Sequence, residues 1–314
     1  MRAPLRQCAD AVFMVRPAAF GFNPETAASN AFQRQETVPA EPTRARAESD
    51  AVRVALESEG VRVVALEDSP TPYKPDALFP NNWVSFHGDG TVVLYPMLGV
   101  TRRLERRHEL LEEVCARLHY RLRRRIDLTE HEGHGRFLEG TGSLVLDHVA
   151  RVAYACRSTR TDESLVREWA RLMDFETVIF DAVDSEGRPY YHTNVMMWIG
   201  TRCALICAAA VADRDRERVL ASLRASGREL IEVSREAVSA YAGNMLELGT
   251  WDEALGDASV LIMSATAKAA LSAQVFRQLS GCVDAVLAVA VPTIETVGGG
   301  SVRCLLAEVP ETAG

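Results

Sequence analysis

Thr193-Asn194-Val195-Met196-Met197-Trp198-Ile199, then Gly200-Thr201-Arg202, then Cys203 to Cys207, reads as two short apolar strands joined by a tight turn. Small polar residues open the unit, and the unit recurs. Asn81 to His87 leads through Gly88-Asp89-Gly90 to Thr91 to Met97. Gly140 to Leu146 leads through Asp147-His148 to Val152 to Cys156. Gly243 to Leu248, with a longer turn before Ser259 to Ser264, is a weaker copy. Gly299-Gly300-Ser301 to Val309 is a fifth, with Val12 to Val15 near the N-terminus as its expected partner strand. The starts fall roughly 50 to 60 residues apart, a spacing that points to a repeat or propeller architecture.

The segments between copies carry helical periodicity with charged outer faces: 39–59, Thr101 to Leu118, Asp162 to Met173, Asp213 to Arg224 and Ala267 to Leu279. Asp162 is placed as an N-terminal cap. Each repeat is therefore two or three strands plus one helix. Five in a ring use residues 1–314 as one α/β domain, with the strand starts converging on the axis. The loop from Phe20 to Gln33 is polar and aromatic, which suits either a cover over a substrate or an ordinary connector.

Composition narrows the function. The net charge of −8 and pI near 5.5 argue against a general nucleic-acid or membrane-surface role. Arg121, Arg123, Arg124 and Arg125 read as a solvated helix end. No stretch reaches 18 uninterrupted apolar residues, and the N-terminus has no signal-peptide pattern. Seven cysteines without C-x-x-C pairs suit a reduced, cytoplasmic setting, with Cys203 and Cys207 in the core.

The repeat starts also carry the chemistry. Gly298-Gly299-Gly300 allows a tight turn, and Cys304 is expected where that turn enters a strand, a rigidly held thiol at a pocket rim. His192, Glu139 and Asp76 stand at the other starts. A thiol, an imidazole and a carboxylate together make a covalent-catalysis set: nucleophile, general acid/base, and a group to orient or balance charge. His131-Glu132-Gly133-His134 has histidines three apart but no evident third ligand, so it reads as a polar loop and no metal or cofactor is expected. Lys74 and Arg136 suit either a substrate carboxylate or the surface.

This ordered set resembles the guanidine-modifying, or pentein, superfamily, whose fold is a five-bladed β/α-propeller of ββαβ repeats around a central active site. Arg16-Pro17-Ala18, Phe20-Gly21-Phe22-Asn23 and Phe79-Pro80-Asn81-Asn82-Trp83 are similar to the arginine deiminase-related, citrulline-utilisation branch. The resemblance implies that Cys304 attacks the central carbon of a guanidino or ureido group and that His192 protonates the leaving amine and then activates water. It also implies that Glu139 holds the substrate nitrogens and the histidine's charge state, and that Asp76 contacts substrate. Asn81, Asn82 and Asn194 stand where cation-binding relatives commonly carry charged residues. An amide both donates and accepts, as a neutral ureido group does, whereas a carboxylate matches an all-donor cation. The expected function is hydrolysis of citrulline to ornithine, ammonia and carbon dioxide, with Asn81, Asn82, Asn194 and Arg136 as substrate contacts. Arginine deiminase, methylarginine hydrolase, amidinotransferase and a non-enzymatic binding propeller are the alternatives. The expected partner is a small amino-acid substrate, with no nucleic acid and no membrane; a homodimer is left open.

Overall fold

The computed structural model describes residues 6–35, 42–252 and 256–312. β1 (Ala11–Arg16) runs parallel to β2 (Arg62–Glu67), and the helix Pro42–Ser58 crosses over between them. The next sheet is β3 (Val84–Phe86), β4 (Thr91–Leu94) and β5 (Arg124–Asp127). Then come β6 (Val145–Asp147), β7 (Val152–Cys156) and β8 (Glu176–Phe180), and after them β9 (Met197–Ile199), β10 (Cys203–Ile206) and β11 (Glu229–Glu232). The last full set is β12 (Leu246–Asp252), β13 (Gly256–Ser264) and β14 (Ala285–Val289). β15 (Ala307–Glu308) pairs antiparallel with β1 and completes the first sheet from the far end of the chain. Each sheet is an antiparallel pair followed by a parallel third strand. A parallel neighbour needs a crossover, which explains the helix in every repeat.

The five small sheets are the blades of a β/α-propeller. The turns that open the repeats bond to one another in sequence. Thr141 Oγ1 donates to the Asn81 carbonyl at 3.3 Å, Thr193 Oγ1 to the Ser143 carbonyl at 2.6 Å, and Asn244 Nδ2 to the Asn194 carbonyl at 3.4 Å. The Arg303 amide then donates to Asn244 Oδ1 at 3.1 Å. Apart from the half-buried Thr141, the residues of these contacts are buried, so their backbone groups need a protein partner, and the neighbouring blade supplies it.

Several expectations change. The arginine cluster is not a helix end: Arg124–Asp127 is the outer parallel strand β5, in which only Ile126 is buried. One inward residue in four hides a strand's alternation among the arginines. The span Thr101 to Leu118 is two helices, Val100–Arg103 and His108–Arg117. Ala267 to Leu279 is likewise split, into Ala265–Ala270 and Ala273–Cys282, because Ser272 caps the second by accepting the Val275 amide at 3.2 Å. The glycine run does not enter a strand directly. A π turn (Ile294–Gly298) and a 3₁₀ turn (Val302–Leu305) precede the two-residue β15. Leu305 and Leu306 are apolar because blades surround them on the axis, not because they alternate in a strand. The Asp162 cap holds, accepting the Ser164 and Leu165 amides, and Cys203 and Cys207 are core.

Candidate active site

A cavity opens at the axis, on the turn layer, and most blades contribute to its wall. The loop after β1 supplies Thr26 and Asn30. The second repeat supplies Asp76, Phe79, Asn82 and Arg102, the third Arg160, and the fourth Tyr191 and His192. The final segment supplies Gly298, Gly299, Gly300 and Cys304.

Local structure explains each placement. Gly299 has φ +64°, the left-handed region open to glycine. Its carbonyl accepts from Tyr191 Oη at 2.7 Å and Asn30 Nδ2 at 3.0 Å, which fixes the turn and the 20–33 loop together. Cys304 follows on the 3₁₀ turn, its amide bonded to the Ser301 carbonyl at 2.9 Å and its side chain buried. Phe79 lies where a Cβ on Gly300 would meet it at 2.9 Å, so only glycine lets the ring close that wall.

His192 Nε2 donates to Glu139 Oε2 at 2.9 Å; a carboxylate can only accept, which sets the tautomer. Both are buried. Burial pushes the Glu139 carboxyl up, but Arg160, the His192 hydrogen bond and Arg102 outweigh it and hold the group below the ordinary carboxylate range. Burial likewise drives His192 down to about 4 although Glu139 opposes it, so the ring is neutral near pH 7. Burial raises the Cys304 thiol, and the Ser301 and Asn244 hydrogen bonds pull partly back. The resting cavity is thus lined by a thiol and by a neutral imidazole that is oriented by an ionised carboxylate.

Asp76 is buried, and its Oδ2 accepts from Asn23 Nδ2 at 2.8 Å and Thr26 Oγ1 at 3.2 Å. Its Oδ1 has no hydrogen-bond partner among the described residues. A buried acceptor without a donor costs free energy, so this oxygen is available to a ligand N–H. Arg102 donates to Asn82 Oδ1 at 2.8 Å and grips Glu105 through two bonds of 3.0 Å.

Of the residues expected at the site, the structure brings Cys304, His192, Asp76 and Asn82 to the cavity, with Glu139 against His192. Asn81 and Asn194 are buried but do not line it. Asn82 lines the cavity and Asn81 stands behind it, its Oδ1 accepting from Asn82 Nδ2 at 3.2 Å. Asn194 faces a second axial cavity with Glu247 and Arg303. Arg136 is held elsewhere, by His131 Nδ1 at 2.8 Å and Ser164 Oγ at 3.2 Å. Lys74 is neither rim nor surface: it is buried, 3.3 Å from Asp68, and donates to Ser69 and Pro72. His131 is spent on Arg136 and Glu168, and no three His, Cys, Asp or Glu among the described residues are grouped to hold a metal. No helix among them is long and apolar enough to cross a membrane.

Sequence reasoning missed Arg102, Arg160, Tyr191 and Asn244. Tyr191 adjoins His192 and Asn244 opens the repeat that begins at Gly243, so repeat equivalence pointed to both. The two arginines gave no signal among so many others.

A thiol, a histidine–carboxylate pair and a free carboxylate oxygen at the axis of five ββαβ blades define a C–N hydrolase of the pentein superfamily, whose members modify arginine and related guanidino amino acids. Residues 16–311 match the family described as eukaryotic N,N dimethylarginine dimethylhydrolase, and the chain belongs to that family. No curated protein matches it. Among solved structures, it is similar to the substrate-bound N-terminal domain of ArgZ, an arginine dihydrolase from the ornithine-ammonia cycle in cyanobacteria. The TM-score is 0.73 at 16% identity, covering 96% of this chain and 98% of that one. Unliganded AgrE gives 0.73 at 18%, covering 97% and 40%, so this chain spans about two-fifths of AgrE. A dimethylarginine dimethylaminohydrolase adduct with S-methyl-L-thiocitrulline gives 0.64 at 15%, covering 96% and 99%.

Proposed function

We propose that this chain is a cysteine-dependent hydrolase of citrulline, yielding ornithine, ammonia and carbon dioxide. The observation that carries it is the convergence in one cavity of the Cys304 thiol, the His192 imidazole held by Glu139 behind it, and an Asp76 oxygen with no hydrogen-bond partner among the described residues. His192 takes the thiol proton, and Cys304 Sγ bonds to the ureido carbon. His192 returns the proton to the departing nitrogen, and ammonia leaves. The S-linked carbamoyl group that remains is attacked by water, deprotonated by the same imidazole. The C–S bond breaks, the thiol recovers its proton, and the released carbamate loses carbon dioxide to give ornithine.

The choice of a neutral substrate rests on two observations. Asn82 is a neutral amide whose Oδ1 already accepts from Arg102 and whose Nδ2 gives one hydrogen to Asn81 Oδ1 at 3.2 Å, which leaves its second N–H for a ureido carbonyl. Two guanidiniums, Arg102 and Arg160, stand in the same wall. A further cation would be opposed by both. A second reading, arginine or a methylated arginine, is favoured by Asp76, whose free oxygen suits an all-donor group. Ammonia and ornithine measured from citrulline, arginine, agmatine, succinylarginine and methylarginines decide between them. Ornithine from citrulline supports the first, and ammonia or methylamine released from guanidino substrates alone supports the second. A Cys304→Ser protein with full turnover overturns both.

A further inference from the structure

We infer that Asn244 is the donor that stabilises the Cys304 thiolate and sets its direction, a role that rests on reading Cys304 as the nucleophile. Asn244 Nδ2 lies 3.3 Å from Cys304 Sγ, and Asn244 is itself buried. The amide's orientation is settled by its other end. Oδ1 accepts the Arg303 backbone N–H at 3.1 Å, and a backbone amide can only donate, so the NH₂ end must face the sulfur. Arg303 adjoins Cys304 on the same 3₁₀ turn. One side chain therefore fixes the turn through its oxygen and addresses the nucleophile through its nitrogen.

The chemistry makes this contact more than packing. A thiol sulfur is a weak acceptor, whereas a thiolate is a full negative charge. The Asn244–Sγ bond therefore strengthens as the proton leaves, and stabilisation that grows along the reaction is the kind that lowers a barrier. The need is real, because burial makes the anion costly here. The other charged or titratable groups facing the thiol or lining its cavity are Arg303 on its own turn, Asp76 and Arg102 from the second repeat, Arg160 from the third, and Tyr191, His192 and Tyr241 from the fourth; the Asp76 carboxylate opposes the thiolate. Among these, Arg102 and Arg303 also favour the thiolate, but neither is hydrogen-bonded to Sγ; the guanidinium of Arg303 is spent on the Leu306 carbonyl at 2.8 Å and Glu308 at 2.9 Å.

Asn244→Asp separates the two ends. The carboxylate keeps an acceptor for the Arg303 N–H but presents no donor, and adds repulsion, at the sulfur; it also gives up the 3.4 Å bond to the Asn194 carbonyl, which the circular dichroism control monitors. Alkylation of Cys304 by iodoacetamide, followed across pH by mass spectrometry of its own peptide, reads the thiolate directly and needs no substrate. The midpoint is expected to rise by about one pH unit or more, a roughly tenfold loss of thiolate at a given pH, with kcat lowered about tenfold or more and KM nearly unchanged. Asn244→Ala is the second variant, should the aspartate fail to fold, and its midpoint moves the same way by less. Unmoved midpoints in variants with native circular dichroism overturn the role of Asn244 even if the enzyme turns over citrulline. Shifted midpoints in a protein that turns over no guanidino or ureido compound uphold the donor and overturn the hydrolase reading.

Discussion

Arg160 Nη1 lies 3.3 Å from Glu139 Oε2, the same oxygen that accepts the His192 Nε2–H at 2.9 Å. The guanidinium also donates to the Thr26 carbonyl at 2.7 Å and to Ser29 Oγ at 2.9 Å. One arginine thus balances the orienting carboxylate and anchors the loop whose Thr26 and Asn30 line the cavity. Arg160→Met leaves Glu139 buried without its largest counter-charge. Removing one partner of a buried pair typically costs about 3–5 kcal/mol. The expected outcome is a large loss of stability in denaturant unfolding and a fall in kcat/KM, with partial recovery in Arg160→Lys. A Met variant as stable and active as the parent refutes this balance.

Gly142 owes its place to the site and not to its own backbone. A Cβ there would stand 2.6 Å from His192 Nδ1 and 2.7 Å from Asn82 Nδ2. Gly142→Ala must displace the imidazole or the amide. A shift of about 1 Å in a positioned group can cost on the order of a hundredfold in rate, while overpacking costs about 1–3 kcal/mol of stability. Kinetics and thermal unfolding of one preparation should therefore show a fall in kcat out of proportion to the change in Tm. Near-normal kcat would mean that the ring and amide have slack here.

The architecture was readable from sequence because each repeat announces itself: a polar start, an apolar pair of strands, an amphipathic helix. The gathering of Cys304, His192 and Glu139 near one cavity was readable because they stand at equivalent starts. What failed depended on direction. Asn81 and Asn82 look alike in a sequence, yet Asn82 lines the cavity and Asn81 stands behind it. Asn194 sits two residues past His192 and faces a different cavity. Arg160 and Arg102 bond directly to Glu139 and Asn82, but from about 20 residues away in the chain, and no local pattern distinguishes them from solvated arginines. The third strands were weakest, since an edge strand such as β5 buries a single residue.

Protonation of His192 links pH to stability as well as to rate. Its folded value, near 4, lies below the ordinary imidazole value of about 6.5, because burial disfavours the cation. A group depressed on folding contributes stability above its unfolded value and loses it as pH falls. The window runs from about pH 6.5 down to about 4, and the full effect is ~3 kcal/mol at most. Glu139, also held down, extends the loss to lower pH. Unfolding free energies of the parent and His192→Asn, compared across pH 4 to 8, should differ by an amount that shrinks on acidification. A constant difference refutes the depressed value. The low-pH limb of kcat/KM should likewise lie near 4, where the neutral base is lost.

Asp76 supplies the test of substrate charge. Its Oδ2 is already satisfied by Asn23 and Thr26, and its Oδ1 is the free acceptor. Asp76→Asn preserves shape and removes the charge. Against a cationic guanidino group it forfeits a charge-assisted bond, about 1.5–3 kcal/mol, or roughly ten- to a hundredfold in kcat/KM. Against a neutral ureido group the exchange is one neutral bond for another of about 0.5–1.5 kcal/mol, and the rotated amide can still offer its oxygen. The ratio of kcat/KM for citrulline to that for arginine should therefore rise in Asp76→Asn. A ratio that stays level places the carboxylate away from the reacting group, facing the α-amino end of the substrate, where both compounds carry the same charge.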